Sequence, residues 1–162
     1  MRDCPGGICA PRGYRAAGVA AGIKKRDSSK KDVALILSEV PAVVAGVFTT
    51  SRVQAAPVLW SKTVVARGQA RAIVVNSGNA NACTGQQGME DARAMAERVA
   101  ALSAGTISVA EVIVASTGVI GVPLPMEVVR AGIDCAWAGL HPEGSGEAAE
   151  AIMTTDTFAK ET

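Results

Sequence analysis

The chain has 162 residues, 49% of them hydrophobic and only 3% aromatic, with 16 basic residues against 15 acidic ones. That length supports one domain with a core, and the core must be built from Ala, Val, Ile and Leu in closely packed layers. A net charge of +1, with no basic stripe carrying interleaved aromatics, excludes the electrostatic footprint of a nucleic-acid-binding protein.

In chain order, Met1 to Gly7 lacks the apolar segment of a signal peptide. Lys24 to Lys31 is a charged run expected as a solvated turn between strands. Short Val/Ile-rich segments bounded by turn residues predict strands at Val33–Leu37, Val43–Phe48, Ala72–Asn76 and Glu111–Ala115. The longest apolar run, Val40 to Phe48, is too short to span a bilayer and is expected as a buried strand. Met89, Ala92, Ala96, Val99 and Leu102 recur at spacings of three and four, which predicts a helix over Met89–Leu102. Glu90 and Asp91 sit in its first turn, where the helix dipole favours acids, and Gly105 fits its stop. A second helix is expected from Pro125 to about Trp137 and a third over Glu147–Met153. Strands alternating with helices predict an α/β chain, in a soluble cytosolic protein with no membrane span.

The titratable inventory excludes several chemistries. The four cysteines, Cys4, Cys9, Cys83 and Cys135, are expected as reduced thiols. They form no second close-spaced pair with His141, the single histidine, so a zinc site is not expected. His141 lies in the Gly/Pro-rich stretch His141 to Gly146 and is expected in a surface loop. That leaves neither a Cys-His nor a Ser-His-Asp hydrolase.

Three segments carry chemistry. Val112 to Val114 run into Ser116-Thr117-Gly118, expected as a tight turn that aims a hydroxyl and a backbone N–H at one point. Two such donors suit the oxyanion of an acyl transfer, although Ser-Thr-Gly is also ordinary turn composition. Asn76 to Gly85 lies between a strand and a helix and is either a ligand-facing loop or a turn whose asparagines satisfy their own backbone. It is not a P-loop, because no Gly-Lys-Ser/Thr follows. Ala151-Ile152-Met153-Thr154-Thr155-Asp156-Thr157 ends a helix in hydroxyls and one carboxylate, which can hold a polar substrate or cap loose carbonyls.

Gly18-Val19-Ala20-Ala21-Gly22-Ile23-Lys24, Gly46-Val47-Phe48-Thr49-Thr50, Ala55-Ala56-Pro57-Val58, Val75 to Gly85, Ala115 to Gly121 and Ala151 to Thr157 together resemble the α chain of the ornithine acetyltransferase (glutamate N-acetyltransferase) family. Their order and spacing match it over nearly the whole chain. Arg52 and Gln54 depart from the family's usual Asn and Lys. The resemblance implies an αββα-type sandwich, two sheets between helical layers, with residues 1–162 as a single domain. It also implies a precursor that cleaves itself before a threonine, the nucleophile at the start of the β chain. That threonine takes acetyl from N2-acetylornithine and passes it to glutamate, a ping-pong cycle through an acetyl-enzyme in arginine biosynthesis. Some members also take acetyl from acetyl-CoA, and no other cofactor or metal is implied. The implied assembly is an α2β2 heterotetramer. Carried onto this chain, Thr117 and Gly118 match the oxyanion-hole pair, and Thr154, or Thr155 one residue on, matches a substrate-binding threonine.

Ala159-Lys160-Glu161 before Thr162 does not resemble the cleavage junction, so the chain is expected to stop short of it and to lack the nucleophile. The isolated chain is then expected to be inactive and to expose apolar surface. Two alternatives remain: a non-catalytic binding module for N-acetylated amino acids, and a fragment of a related self-processing amidohydrolase or aminopeptidase.

Overall fold

The computed structural model describes residues 6–25 and 29–160. Cys4 and Thr162 lie outside the described residues, as does the middle of the charged run. Among the described residues, four strands form one sheet: β1 (Tyr14–Val19), β2 (Val33–Val43), β3 (Gln69–Asn79) and β4 (Val112–Val119), in the order β1-β2-β3-β4. The first three pair antiparallel, whereas β3 and β4 are parallel. A parallel pair needs a crossover, and α2 (Gly85–Leu102) provides it. The remaining helices are α1 (Ala56–Val65), α3 (Met126–Ala138) and α4 (Ser145–Ala151).

Alternation along each strand sends side chains to two different environments. Val33 and Leu35 of β2, Ala72 and Val74 of β3, and Val112 and Val114 of β4 enter the main core with Ala92, Met95, Ala96 and Val99 of α2 and Val129 and Ile133 of α3. The opposite face is covered at one end by α4, where Ala148 and Ala151 pack on Ala16 and Ala34. Ala against Ala lets that helix lie close to the sheet. Farther along this face, Ile36, Ile73 and Ile113 line an open apolar groove of about 180 Å³. The α/β class and the layering are as expected, and the described residues contribute one sheet to it.

Both edges of the sheet are capped, which denies them to other strands. On β1, Ala16 exchanges backbone hydrogen bonds with His141 at 3.1 and 3.2 Å. On β4, Trp60 Nε1 donates to the Val112 carbonyl at 2.9 Å. Ser61 Oγ donates to the Val114 carbonyl at 2.6 Å and accepts from the Val114 N–H at 3.1 Å. Ser61 thus acts as a substitute strand residue, so Ser61→Ala is expected to cost about 1–3 kcal/mol by stranding two buried backbone groups. Urea denaturation reads this, and an unchanged midpoint would count against the edge-capping role.

Several predicted elements move. Val43–Phe48 is not a strand: β2 ends at Val43, and Val44 to Thr50 has no regular structure. Val43 and Val47 are 89% and 99% exposed, so this apolar run is surface rather than core. Its first residue, Val43, still pairs with Gln69 of β3, Val44 N–H bonds to Gly68 O, and beyond that Gly46 to Phe48 pairs with no strand among the described residues. β1 and α1 were not predicted. Helix α2 starts at Gly85, four residues before the expected Met89, and α4 covers Ser145–Ala151. Among the described residues, no helix is long and apolar enough to cross a membrane, and no three His, Cys, Asp or Glu groups are placed to hold a metal.

Candidate active site

The cleft begins where two backbones touch. At the end of the parallel pair, Gly78 of β3 lies beside Gly118 of β4. A Cβ built on Gly118 would stand 2.2 Å from the Gly78 carbonyl carbon and 2.5 Å from the Asn79 nitrogen, and Gly118 holds a φ of +135°. Only glycine permits both the approach and the dihedral. The pairing slips at this point, with Asn79 opposite both Thr117 and Val119. Ser116-Thr117-Gly118 is therefore an irregular strand end, not the tight turn expected from the sequence. The chain leaves the sheet only after Val119.

The asparagine segment holds this strand end in place. Asn76 accepts from Ser116 Oγ at 2.6 Å and donates to the Asn79 carbonyl at 2.8 Å. Asn79 donates to the Val122 and Pro123 carbonyls and accepts from Asn81 N–H. Asn81 donates to the Gly88 carbonyl and accepts from Thr84 Oγ1. All three are buried with both ends of the amide engaged, so these side chains are spent on holding the strand ends and the loops beside them. Gly78 is the one residue of Asn76 to Gly85 that lines the cleft.

Asp32, fully buried just before β2, organises the third wall. Its carboxylate accepts the backbone N–H groups of Ala21, Gly22, Ile23 and Lys24 at 2.6 to 3.1 Å. Four convergent donors stand in for water around a buried charge. The caged turn lays Lys24 across Gly78, where a Cβ would stand 2.7 Å from the Lys24 Cγ. Lys24 Nζ then donates to the Met153 carbonyl at 2.6 Å and the Lys31 carbonyl at 3.1 Å. Ser77 Oγ donates to the Ala151 carbonyl. These bonds staple the end of α4 to the sheet and bring Thr154 and Thr155 over the strand ends.

The result is a cleft of about 460 Å³ lined by Lys24, Gly78, Thr117, Gly118, Val119, Thr154 and Thr155. Thr117, Gly118 and Thr154, picked out separately along the sequence, share it. Thr155 lines it as well, so the alternative position is also at the cleft. Among the described residues, Lys24 supplies the lining's only charge, and the spacing of the sequence gave no sign of it, since it opens a run expected to be solvated. Burial pulls its pKa below the usual lysine value, with Lys30 acting the same way and Asp32 and Glu150 opposing. His141 sits at the surface as expected, with Nδ1 3.4 Å from Glu143. Cys83 and Cys135 are free thiols, and neither they nor Cys9 line the cleft.

A family model described as the ArgJ family matches residues 15–162. The chain belongs to the ArgJ family. It is 58% identical to the arginine biosynthesis bifunctional protein ArgJ of Symbiobacterium thermophilum over 99% of its own length and 40% of that protein's. It is 56% identical to the same-named protein of Caldanaerobacter subterraneus, over 99% and 38% of the respective lengths. The chain thus spans about two fifths of the length of these relatives. Its fold matches a crystal structure of ornithine acetyltransferase complexed with ornithine from Mycobacterium tuberculosis with a TM-score of 0.89 at 49% identity, covering 94% of this chain and 81% of that one. A crystal structure of ArgJ from Bacillus halodurans matches with a TM-score of 0.84 at 41% identity, over 94% and 78%. In this ArgJ chain the Gly78–Gly118 contact, the Asp32 cage and the Lys24 clasp build one cleft from segments far apart in sequence.

Proposed function

We propose that this chain supplies the oxyanion hole and part of the substrate pocket of an ornithine acetyltransferase. The observation that carries this is the convergence of Thr117, Gly118 and Thr154 on one cleft. The hydroxyl of Thr117 makes no hydrogen bond to another described residue, which leaves it available to a ligand. In the reaction, a threonine oxygen attacks the acetyl carbonyl of N2-acetylornithine. The negative charge that develops on the carbonyl oxygen is met by the Thr117 O–H and the Gly118 N–H. The C–N bond breaks, ornithine leaves as the amine, and the amino group of glutamate takes the acetyl group from the threonine ester. The nucleophilic threonine comes from a segment outside these 162 residues, a β chain in an α2β2 assembly, and the chain alone is inactive. Residues 1–162 act as one domain of that assembly, in the cytoplasm. Thr154 holds the polar end of the substrate, with Thr155 beside it. Acetyl-CoA fits the same scheme as a second acetyl donor.

The test is Thr117→Val in the complete protein that carries this chain. Removing one preorganised oxyanion donor costs about 3 kcal/mol of barrier, so kcat for acetyl transfer to glutamate should fall by a factor of about 100 to 1,000 with KM little changed. A Thr117→Val enzyme with full kcat would overturn the assignment.

A further inference from the structure

Among the described residues, Lys24 is the only charged one lining the cleft, and nothing in the reaction above uses it. An ammonium group has three N–H donors. Two are spent on the carbonyls of Met153 and Lys31, which fixes the nitrogen beside Thr154 and leaves one donor and the positive charge. The backbone behind it is fixed as well, because the Asp32 cage holds residues 21 to 24 and the lysine stem rests on Gly78. The remaining lining groups are neutral hydroxyls, glycines and a valine. A ligand of this cleft that carries a carboxylate finds one cationic partner in this part of the wall, already anchored and partly desolvated.

We propose that Lys24 recognises the carboxylate of the N-acylated amino acid, with the free Nζ–H pointing at one carboxylate oxygen. This rests on the acetyltransferase function given above and deepens it: the oxyanion pair acts on the acyl carbonyl, and Lys24 selects for an acid over its amide. The lowered pKa of Lys24 adds a pH signature. The ammonium is lost as pH rises through that lowered value, so preference for the acid should fade on the alkaline side earlier than an ordinary surface lysine would allow.

The experiment is calorimetric binding of N2-acetylornithine and of its carboxamide to the complete protein, wild type and Lys24→Met. A charge-assisted hydrogen bond is roughly twice as strong as a neutral one, so the wild type should prefer the acid by about tenfold or more. Lys24→Met should bring the two ligands within about twofold of each other, and Lys24→Arg should keep a preference for the acid. If Lys24 only positions Met153 and Thr154, Lys24→Met weakens both ligands equally and the preference survives; that overturns the proposal. Equal binding of acid and amide to the wild type overturns it without any variant, which covers a Lys24→Met protein that does not fold. Failure of the wild type to bind either ligand overturns the acetyltransferase function itself, and this inference with it.

Discussion

Gly118→Ala should disable the protein and loosen its sheet at the same time. The new methyl carbon would stand 2.2 Å from the Gly78 carbonyl carbon and 2.6 Å from its oxygen. These are backbone atoms, so no rotamer change relieves the clash. The φ of +135° adds a conformation that alanine adopts only under strain, worth about 1–3 kcal/mol, and forced overpacking adds a similar amount. A total of roughly 2–5 kcal/mol lowers Tm by about 5–15 °C for a domain of this size. The β4 end must lift away from β3 to make room, carrying the residue 118 N–H and the Thr117 hydroxyl out of register with Thr154. Acetyl transfer by the complete protein should then drop to background while the core stays folded at low temperature. Thermal unfolding together with the activity assay checks both halves. A variant that keeps its Tm within a degree would refute the close contact.

Asp32→Ala should be the more damaging change for folding. The carboxylate answers four backbone N–H groups at full burial. Hydrogen bonds to a charged group contribute about 1.5–3 kcal/mol each, and donors left buried without a partner cost a further penalty. Even with partial rescue by water, a loss of about 4–6 kcal/mol is expected, comparable to the whole stability of a marginal domain. Asp32→Asn keeps the shape but turns an NH2 group towards backbone donors. It should fall between wild type and alanine, which keeps the effect measurable by urea denaturation. An alanine variant within about 1 kcal/mol of wild type would show that the turn over 21 to 24 holds itself. Because this turn carries Lys24, the asparagine variant should also weaken ligand binding before it unfolds the chain.

Much of the fold was legible where side-chain pattern and burial coincide. The spacing of Met89, Ala92, Ala96, Val99 and Leu102 marked α2 because that face packs on the sheet, and Val33 to Leu37 marked the core of β2. The failures have physical reasons. Helix α1 begins Ala56-Pro57-Val58 and contains Val64 and Val65, an apolar and β-branched composition with no polar face to set a period. Strand β1 reads Tyr14-Arg15-Ala16-Ala17-Gly18-Val19, where small residues suited to a close helix hide the strand signal. Val43 to Phe48 looked like a strand because it is apolar, but a strand needs a partner, and composition does not say whether one is there. At the site, the residues themselves offered Thr117 and Gly118 as a pair of oxyanion donors, though in ordinary turn composition, and the family resemblance made that reading specific; Thr154 came from the resemblance, where the physics of the residues gave a polar helix end. Lys24 was hidden by its charged neighbours. What sets it apart is the caged turn before it and the carbonyls that receive its ammonium, and neither is visible until Asp32 and Met153 are placed.

The three wall contacts of the cleft join residues that are remote along the chain. Asn76 meets Ser116 across 40 residues, Ser77 meets the Ala151 carbonyl across 74, and Lys24 meets the Met153 carbonyl across 129. Closing such spans costs chain entropy before any contact returns it, and contacts of this range are gained late in folding. The β1–β2 and β2–β3 pairs, by contrast, join neighbouring strands. A partly assembled molecule therefore has a hairpin sheet and much of its core but no cleft. Amide hydrogen exchange should follow the same order: the N–H groups of Thr154 and Gly118 exchange through small openings, and those of Leu35 and Val74 only when the whole sheet comes apart.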